Sequence, residues 1–464
     1  MLIVRESLAN LDDFFRDAHG GLVTPNEREF NKFSLIARRP YNPPLLFGSE
    51  FGLAQQFFQH TFDNGLTLLG EKMPAVQSAA MTLMLPAGSA GDPKDRSGLA
   101  TVLSDLVLRG AGERDSRQLT DYLDSLGLQR SASVSVDHAR FACAAVADRV
   151  LESLAAYADI VRRPHLPQAG FKAARDLALQ SLKGLEDDPR QMLLVKLREW
   201  FLPYPLGRNP MGQPADLKKL TLKSCRDDWR RRYHANGAIL ALAGNIDFER
   251  IRDQAAKYFG DFPAAPDAAV ELLPPKGPVH HVKQKSEQTH IGIAYSAAPE
   301  DDPDYYAIRA VMEAFGGGMS SRLFSEVREK RGLCYSVWAG YTSLKSMGAI
   351  LGYAGSSNDR AQATLDCILS EIHRLRDGIT QPELDRAKIG LKASTIMQGE
   401  STSARCGAIA HDFFMRGRIR ALDEIEREID SLTLDRVNGY LRDHKPGPFT
   451  VVTVGPKALR VSES

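Results

Sequence analysis

The chain has 464 residues, 59 basic against 58 acidic, with a 43% apolar fraction. That length accommodates two or three domains with full cores, and the balanced charge gives no electrostatic case for nucleic acid or an anionic membrane as partner. No apolar run approaches the ~20 residues of a membrane span, so no membrane segment is expected.

Residues 1–58 read as an N-terminal extension. The first ten lack the basic-then-apolar pattern of a signal peptide. Arg38-Arg39-Pro40-Tyr41-Asn42-Pro43-Pro44 cannot form a helix interior, because its prolines remove donors and restrict their neighbours. The five cysteines (Cys143, Cys225, Cys334, Cys367 and Cys406) include no C-x-x-C pair and read as free thiols in a reducing compartment. A cytoplasmic location is expected; a leader ahead of residue 1 would make it periplasmic.

Residues 59–268 read as a first domain. A strand begins near Phe62, Asp63-Asn64-Gly65 is a tight turn signal, and Met81-Thr82-Leu83-Met84-Leu85 is a second strand. The loop Ala87-Gly88-Ser89-Ala90-Gly91-Asp92-Pro93 leads into a helix over 98–108. Leu99, Val102, Leu103 and Leu106 fall at i, i+3, i+4 and i+7 and form one buried stripe. Thr101, Ser104 and Asp105 share a second, polar face. Helices follow at 116–126, ended by Gly127, at 148–161 and at 171–185, with strands between 131 and 145. Asp187-Asp188-Pro189 starts another helix, and 238–245 reads as a buried strand ending in a turn.

Pro263, Pro266, Pro274, Pro275 and Pro278 then fall within sixteen residues. That composition marks a linker, placed at 269–283. Residues 284–464 repeat the pattern as a second domain. Ile291-Gly292-Ile293-Ala294-Tyr295 is a strand, and Asp302-Pro303 matches Asp92-Pro93. Ile308, Val311, Met312 and Phe315 restate the first helix stripe 209 residues on, and 384–394 restates 171–181 at an offset of 213. The expected fold class is therefore α+β, with two homologous duplicated domains.

The second half contains Gly316-Gly317-Gly318-Met319-Ser320-Ser321-Arg322-Leu323-Phe324-Ser325-Glu326-Val327-Arg328-Glu329-Lys330-Arg331-Gly332-Leu333-Cys334-Tyr335. This resembles the pitrilysin/insulinase family of zinc metallopeptidases, in its processing-peptidase branch. The first half agrees through Gly98-Leu99-Ala100, Glu186-Asp187-Asp188-Pro189, Pro205-Leu206-Gly207-Arg208 and Ala243-Gly244-Asn245. The resemblance implies two antiparallel-rich sheets packed with helices, together one half of a clam-shell. Two such halves enclose a peptide chamber, so a dimer is implied.

Active members carry H-x-x-E-H on the first of these helices and a further Glu downstream. The imidazoles hold zinc, and the Glu serves as base toward the bound water. Here the matching positions are Thr101, Ser104 and Asp105, with Ser181 at the downstream position, and no H-x-x-E-H or H-E-x-x-H occurs in the chain. Hydroxyls are poor zinc ligands, and one carboxylate does not replace two imidazoles and a Glu. The expectation is no metal, no cofactor and no independent peptidase activity. His280, His281 and His290 are the only clustered histidines and read as strand-flanking residues rather than a metal site.

The resemblance also implies that Arg328 and Tyr335 bind the substrate backbone and stabilise an oxyanion, a role suited to a guanidinium and a phenol. Gly316, Gly317 and Gly318 read either as a loop that admits substrate or as a helix C-terminus using positive φ. The leading expectation is the zinc-lacking subunit of a heterodimeric metallopeptidase. It would close the chamber on a homologous partner that carries H-x-x-E-H and zinc, and would bind extended peptides along a sheet edge. The alternative is an inactive structural scaffold or peptide-binding module, as a homodimer.

Overall fold

The computed structural model describes residues 55–266 and 270–461. Of the N-terminal extension, only 55–58 fall within these limits. Asn64-Gly65, with Gly65 at φ 87°, turns the chain between strands β1 (Gln56–Thr61) and β2 (Thr67–Lys72), so the first strand precedes the turn signal. With β3 (Ser78–Leu85), β4 (Gln129–Val134), β5 (Ala139–Val146) and β6 (Ile239–Gly244), these form a six-stranded sheet in the order β1-β2-β6-β3-β5-β4. Only β2 and β6 pair in parallel. Every residue of β6 is buried, which explains its unbroken apolar sequence.

The second half builds a five-stranded sheet from β7 (Val279–Lys283), β8 (Gln288–Ala297), β9 (Ser336–Leu344), β10 (Met347–Ser357) and β11 (Thr450–Gly455), in the order β9-β10-β8-β11-β7. Here too a single pair, β11 and β7, is parallel. Strand for strand this repeats β4-β5-β3-β6-β2 of the first sheet. Strand β7 begins directly after Pro278, where the proline-rich stretch releases the backbone donors that a ladder needs.

The helices repeat as well. Those of the first unit with a counterpart in the second are α1 (Leu99–Leu106), α2 (Val150–Arg162), α3 (Gln168–Glu186), α4 (Pro189–Phe201) and α5 (Leu222–Arg232). Their counterparts are α6 (Tyr305–Gly316), α7 (Ala361–His373), α8 (Gln381–Gly399), α9 (Thr402–Arg416) and α10 (Leu434–Asp443). Helices α3 and α8 both span 19 residues, in the register the 213-residue offset predicts. The architecture is thus two α+β units of one topology.

One pair of helices is exchanged between the units. Leu193, Leu197 and Phe201 of α4 pack on the second sheet, against Leu351, Tyr353, Val452 and Val454. Reciprocally, Cys406, Ile409 and Ala410 of α9 pack on the first sheet, against Leu69, Ala80, Ile239, Ala241 and Ala243. A buried ion pair between Arg405 and Glu71 at 2.8 Å fixes α9 there. No helix of the described residues is long and apolar enough to cross a membrane.

Candidate functional site

Helix α1 is positioned by its buried stripe and by an acid ahead of it. Leu99, Val102, Leu103 and Leu106 are all buried. The Asp92 carboxylate accepts hydrogen bonds from the backbone N–H of Gly98 at 2.9 Å and of Ala100 at 3.0 Å. It thereby satisfies donors that a helix N-terminus leaves open. Gly98 is required there: its φ is 89°, and a Cβ would lie 2.7 Å from both Leu217 and the Met211 carbonyl. Arg232 holds Asp92 at 2.8 Å and Asp228 at 2.5 Å, all three side chains buried. Burial still raises the Asp92 carboxyl to about 6, with Arg232 opposing and Asp228 adding to the rise.

The polar face of α1 opens on a cleft of about 610 Å³, mouth included. Thr101, Ser104, Asp105 and Ser181 all line it, so α1 and α3 bring the four sequence-matched positions together. The floor comes from Met211, and one wall from Ala132, Ser133 and Val134 of β4, a strand at the end of its sheet.

The four sequence-matched polar groups in this cleft are already engaged. Thr101 Oγ1 donates to the Pro210 carbonyl at 2.6 Å, Ser104 Oγ to the Thr101 carbonyl at 2.9 Å, and Ser181 Oγ to the Leu177 carbonyl at 3.0 Å. Asp105 Oδ2 accepts from Arg109 Nε at 2.6 Å. A zinc ion needs several imidazole, thiolate or carboxylate donors around one point. Three hydroxyls turned to carbonyls and one neutralised carboxylate do not fit it. In the second unit, the 209-residue offset sets Ala310, Glu313 and Ala314 at the equivalent places, again without a ligand set.

The clustered histidines do not converge. His280 stacks on Trp200 at 4.1 Å, His281 Nδ1 meets Thr453 Oγ1 at 2.9 Å, and His290 Nδ1 meets the Tyr353 hydroxyl at 2.9 Å. Among the described residues, no three His, Cys, Asp or Glu side chains are grouped to hold a metal. Cys334 is buried, which pushes its thiol up to about 11. It is therefore not a ready thiolate.

Arg328 and Tyr335 stand together, outside the cleft. The Arg328 guanidinium lies 4.6 Å from the Phe324 ring centre and 5.4 Å from that of Tyr335, and Tyr335 is 78% exposed. Arg328 belongs to a π-helical turn over Phe324–Lys330, a rare, wide turn that occurs frequently at functional sites. Among the described residues, its guanidinium meets no carboxylate.

The three glycines ahead of this turn stand at a helix C-terminus, as one sequence reading expects, but without the positive φ that reading attached to them. Gly316 ends α6 and Gly317 caps it. Space is the reason for the first two: a Cβ on Gly316 would lie 2.4 Å from the Ala339 nitrogen, and one on Gly317 2.5 Å from Glu313 Oε2. Gly318 is exposed with nothing within 4 Å.

The family model described as Insulinase (Peptidase family M16) matches residues 67–212, and that described as Peptidase M16 inactive domain matches residues 219–391. An uncharacterized zinc protease of Bacillus subtilis is 25% identical over 402 residues, covering 86% of this chain and 98% of its own. The crystal structure of a peptidase M16 inactive domain from Pseudomonas fluorescens is 22% identical and superposes with a TM-score of 0.80 over 88% of this chain and 99% of its own. A protease from Helicobacter pylori is 21% identical and superposes at 0.79 over 86% and 99%.

Proposed function

Because the chain belongs to the insulinase family of M16 peptidases, we propose that it is the zinc-lacking subunit of a two-chain metallopeptidase. It closes a peptide chamber against a homologous partner that carries H-x-x-E-H and the zinc. The observation that supports this most is the state of the cleft, where the Thr101, Ser104 and Ser181 hydroxyls donate hydrogen bonds to backbone carbonyls and Asp105 is held by Arg109. No water-activating centre is left there, so hydrolysis falls to the partner.

Arg328 and Tyr335 supply the complementary half of the chemistry. Their exposed polar groups reach across the chamber to the substrate backbone at the partner's zinc, where a guanidinium and a phenol stabilise developing negative charge. The substrate is an extended peptide, and the outer edge of β4 offers it a ladder. Gly316, Gly317 and Gly318 border its entry. The buried thiols suit a reducing cytoplasm.

The test pairs this chain with a homologue that contains H-x-x-E-H. Peptide cleavage is expected from the mixture and not from this chain alone. Arg328→Ala is expected to lower turnover of the mixed complex on the order of 100-fold while leaving assembly intact. Unchanged turnover would contradict the role. A homodimer that binds peptides and never cleaves them, with or without any homologue, would establish the scaffold reading instead.

A further inference from the structure

Helix α8 is apolar on two faces. Leu384, Ala387 and Leu391 are buried in the core of the second unit. On the opposite face Ile389, Ala393, Ile396 and Met397 recur at i, i+4, i+7 and i+8. Of these, Ile389, Ile396 and Met397 are 69%, 46% and 65% exposed. A helix whose outer face meets only water carries polar residues there. The first unit has that arrangement. Its α3 buries Phe171, Ala174 and Ala178 at the matching core positions, and the residues 213 positions upstream of the outer four are Asp176, Gln180, Lys183 and Gly184. The outer apolar stripe therefore belongs to the second copy alone.

The stripe ends close to where the described chain begins. A Cβ on Gly399, the last residue of α8, would lie 2.7 Å from Leu422 Cδ1. The Leu422 backbone N–H donates to Gln55 Oε1 at 2.6 Å, and Gln55 Nε2 donates to Glu71 of β2 at 2.6 Å. Gln55 is thus fixed between the two units, and residues 1–54 join the fold near the Met397 end of the stripe. From Leu422 a helix, Leu422–Asp430, runs back along α8, with Lys392 Nζ on Asp430 at 2.9 Å. It flanks the stripe and leaves it uncovered.

We propose that residues 45–53 of this chain, Leu45-Leu46-Phe47-Gly48-Ser49-Glu50-Phe51-Gly52-Leu53, dock on the stripe. Phe47, Phe51 and Leu53 share one parity, so an extended backbone turns all three to one side. The stripe from Ile389 to Met397 is about 12 Å long at ~1.5 Å per residue. Extended chain spans ~3.3 Å per residue, so the segment reaches the far end of the stripe from Gln55. An apolar strip about 12 Å by one helix width of ~10 Å falls far short of the ~800 Å² that each partner of a stable dimer buries. A tether at Gln55 makes up for small area, because it holds the segment at an effective concentration on the order of millimolar. The docked segment straps strand β1 of the first unit to α8 of the second. The assignment does not depend on the peptidase reading.

The test places the photoreactive residue benzoylphenylalanine at Ala393, in the centre of the stripe, in the full-length chain at low concentration. The principal cross-link, mapped by mass spectrometry, is expected within one chain and to residues 45–53. Phe47→Ser combined with Phe51→Ser is expected to lower its yield at least about tenfold. Ile389→Lys combined with Met397→Lys alters the helix instead of the segment, at two exposed positions. It is expected to do the same, and it carries the test if the first variant does not fold. A principal cross-link to a second copy would assign the stripe to an interface between chains and overturn the proposal. So would cross-links confined to residues outside 45–53, no cross-link at all, or an unchanged yield in either folded variant.

Discussion

Asp92 anchors the N-terminus of the helix on which the family's chemistry is usually built. It accepts two backbone N–H groups of α1 and the guanidinium of Arg232, with essentially no solvent contact. Arg232 keeps Asp228 as counter-ion, so Asp92→Ala leaves the N–H groups of Gly98 and Ala100 without their acceptor and is expected to destabilise by about 1–3 kcal/mol in denaturant unfolding. No measurable loss would mean that water replaces the carboxylate at the helix N-terminus. Tyr335→Phe should behave in the opposite way. The side chain is 78% exposed, so stability is expected to stay within about 0.5 kcal/mol while turnover of the mixed complex falls. A matching loss of stability would make Tyr335 a packing residue. The two cases differ in how far sequence alone reaches. Thr101, Ser104 and Asp105 are legible because helical spacing puts them on one face. Asp92 was legible only as part of a loop, since its counter-ion Arg232 lies 140 positions downstream and no periodicity links them. Ser181 could be named through the resemblance, and its place in the cleft needed the fold.

At the scale of elements, the exchanged helices decide how the two units hold together. Ile409 of α9 is fully buried against the first sheet, and Ile409→Ala is expected to cost about 2–5 kcal/mol. A cost under about 1 kcal/mol would mean that α9 docks weakly. The same helix carries His411, whose Nε2 meets Glu300 Oε2 at 2.9 Å. Burial pulls the His411 pKa down, but the hydrogen bond and charge of Glu300 outweigh it, and the net shift is upward from 6.5. Burial raises Glu300, but His411, Arg416 and Ser343 bring it to about 2. A raised histidine pKa gives stability that is complete below 6.5 and lost as pH climbs through the folded value. A depressed carboxylate gives stability that is present above 4.5 and lost as pH falls toward about 2. The pair should therefore contribute most between these limits. His411→Gln is expected to flatten the fall in melting temperature above pH 6.5, and an unchanged profile would remove the pair from consideration. Sequence offsets of 209 and 213 made the helical repeat legible, because each copy buries the same stripe. The crossing of α4 and α9 onto the opposite sheets was not legible, since an amphipathic helix does not record which sheet it covers. Nor was the packing that demands Gly316 and Gly317, because a glycine needed for close approach looks like one needed for positive φ.

Over the whole molecule, two units of one topology retain the frame of a peptidase half, while the cleft in the first is lined by hydroxyls turned to backbone carbonyls and by a paired acid. The frame and the chemistry have separated because they rest on different residues. The buried stripes and the exchanged helices maintain the shape, whereas the metal would depend on a handful of side chains on one face of α1 and α3. The exposed Arg328 and Tyr335 stand apart from that face, on the second unit. The measurement that reaches the core of this most directly is the zinc content of the purified full-length chain after equilibration with zinc and removal of the excess. Far less than one equivalent of tightly held zinc is expected. One equivalent, lost on substitution of Asp105, would contradict it.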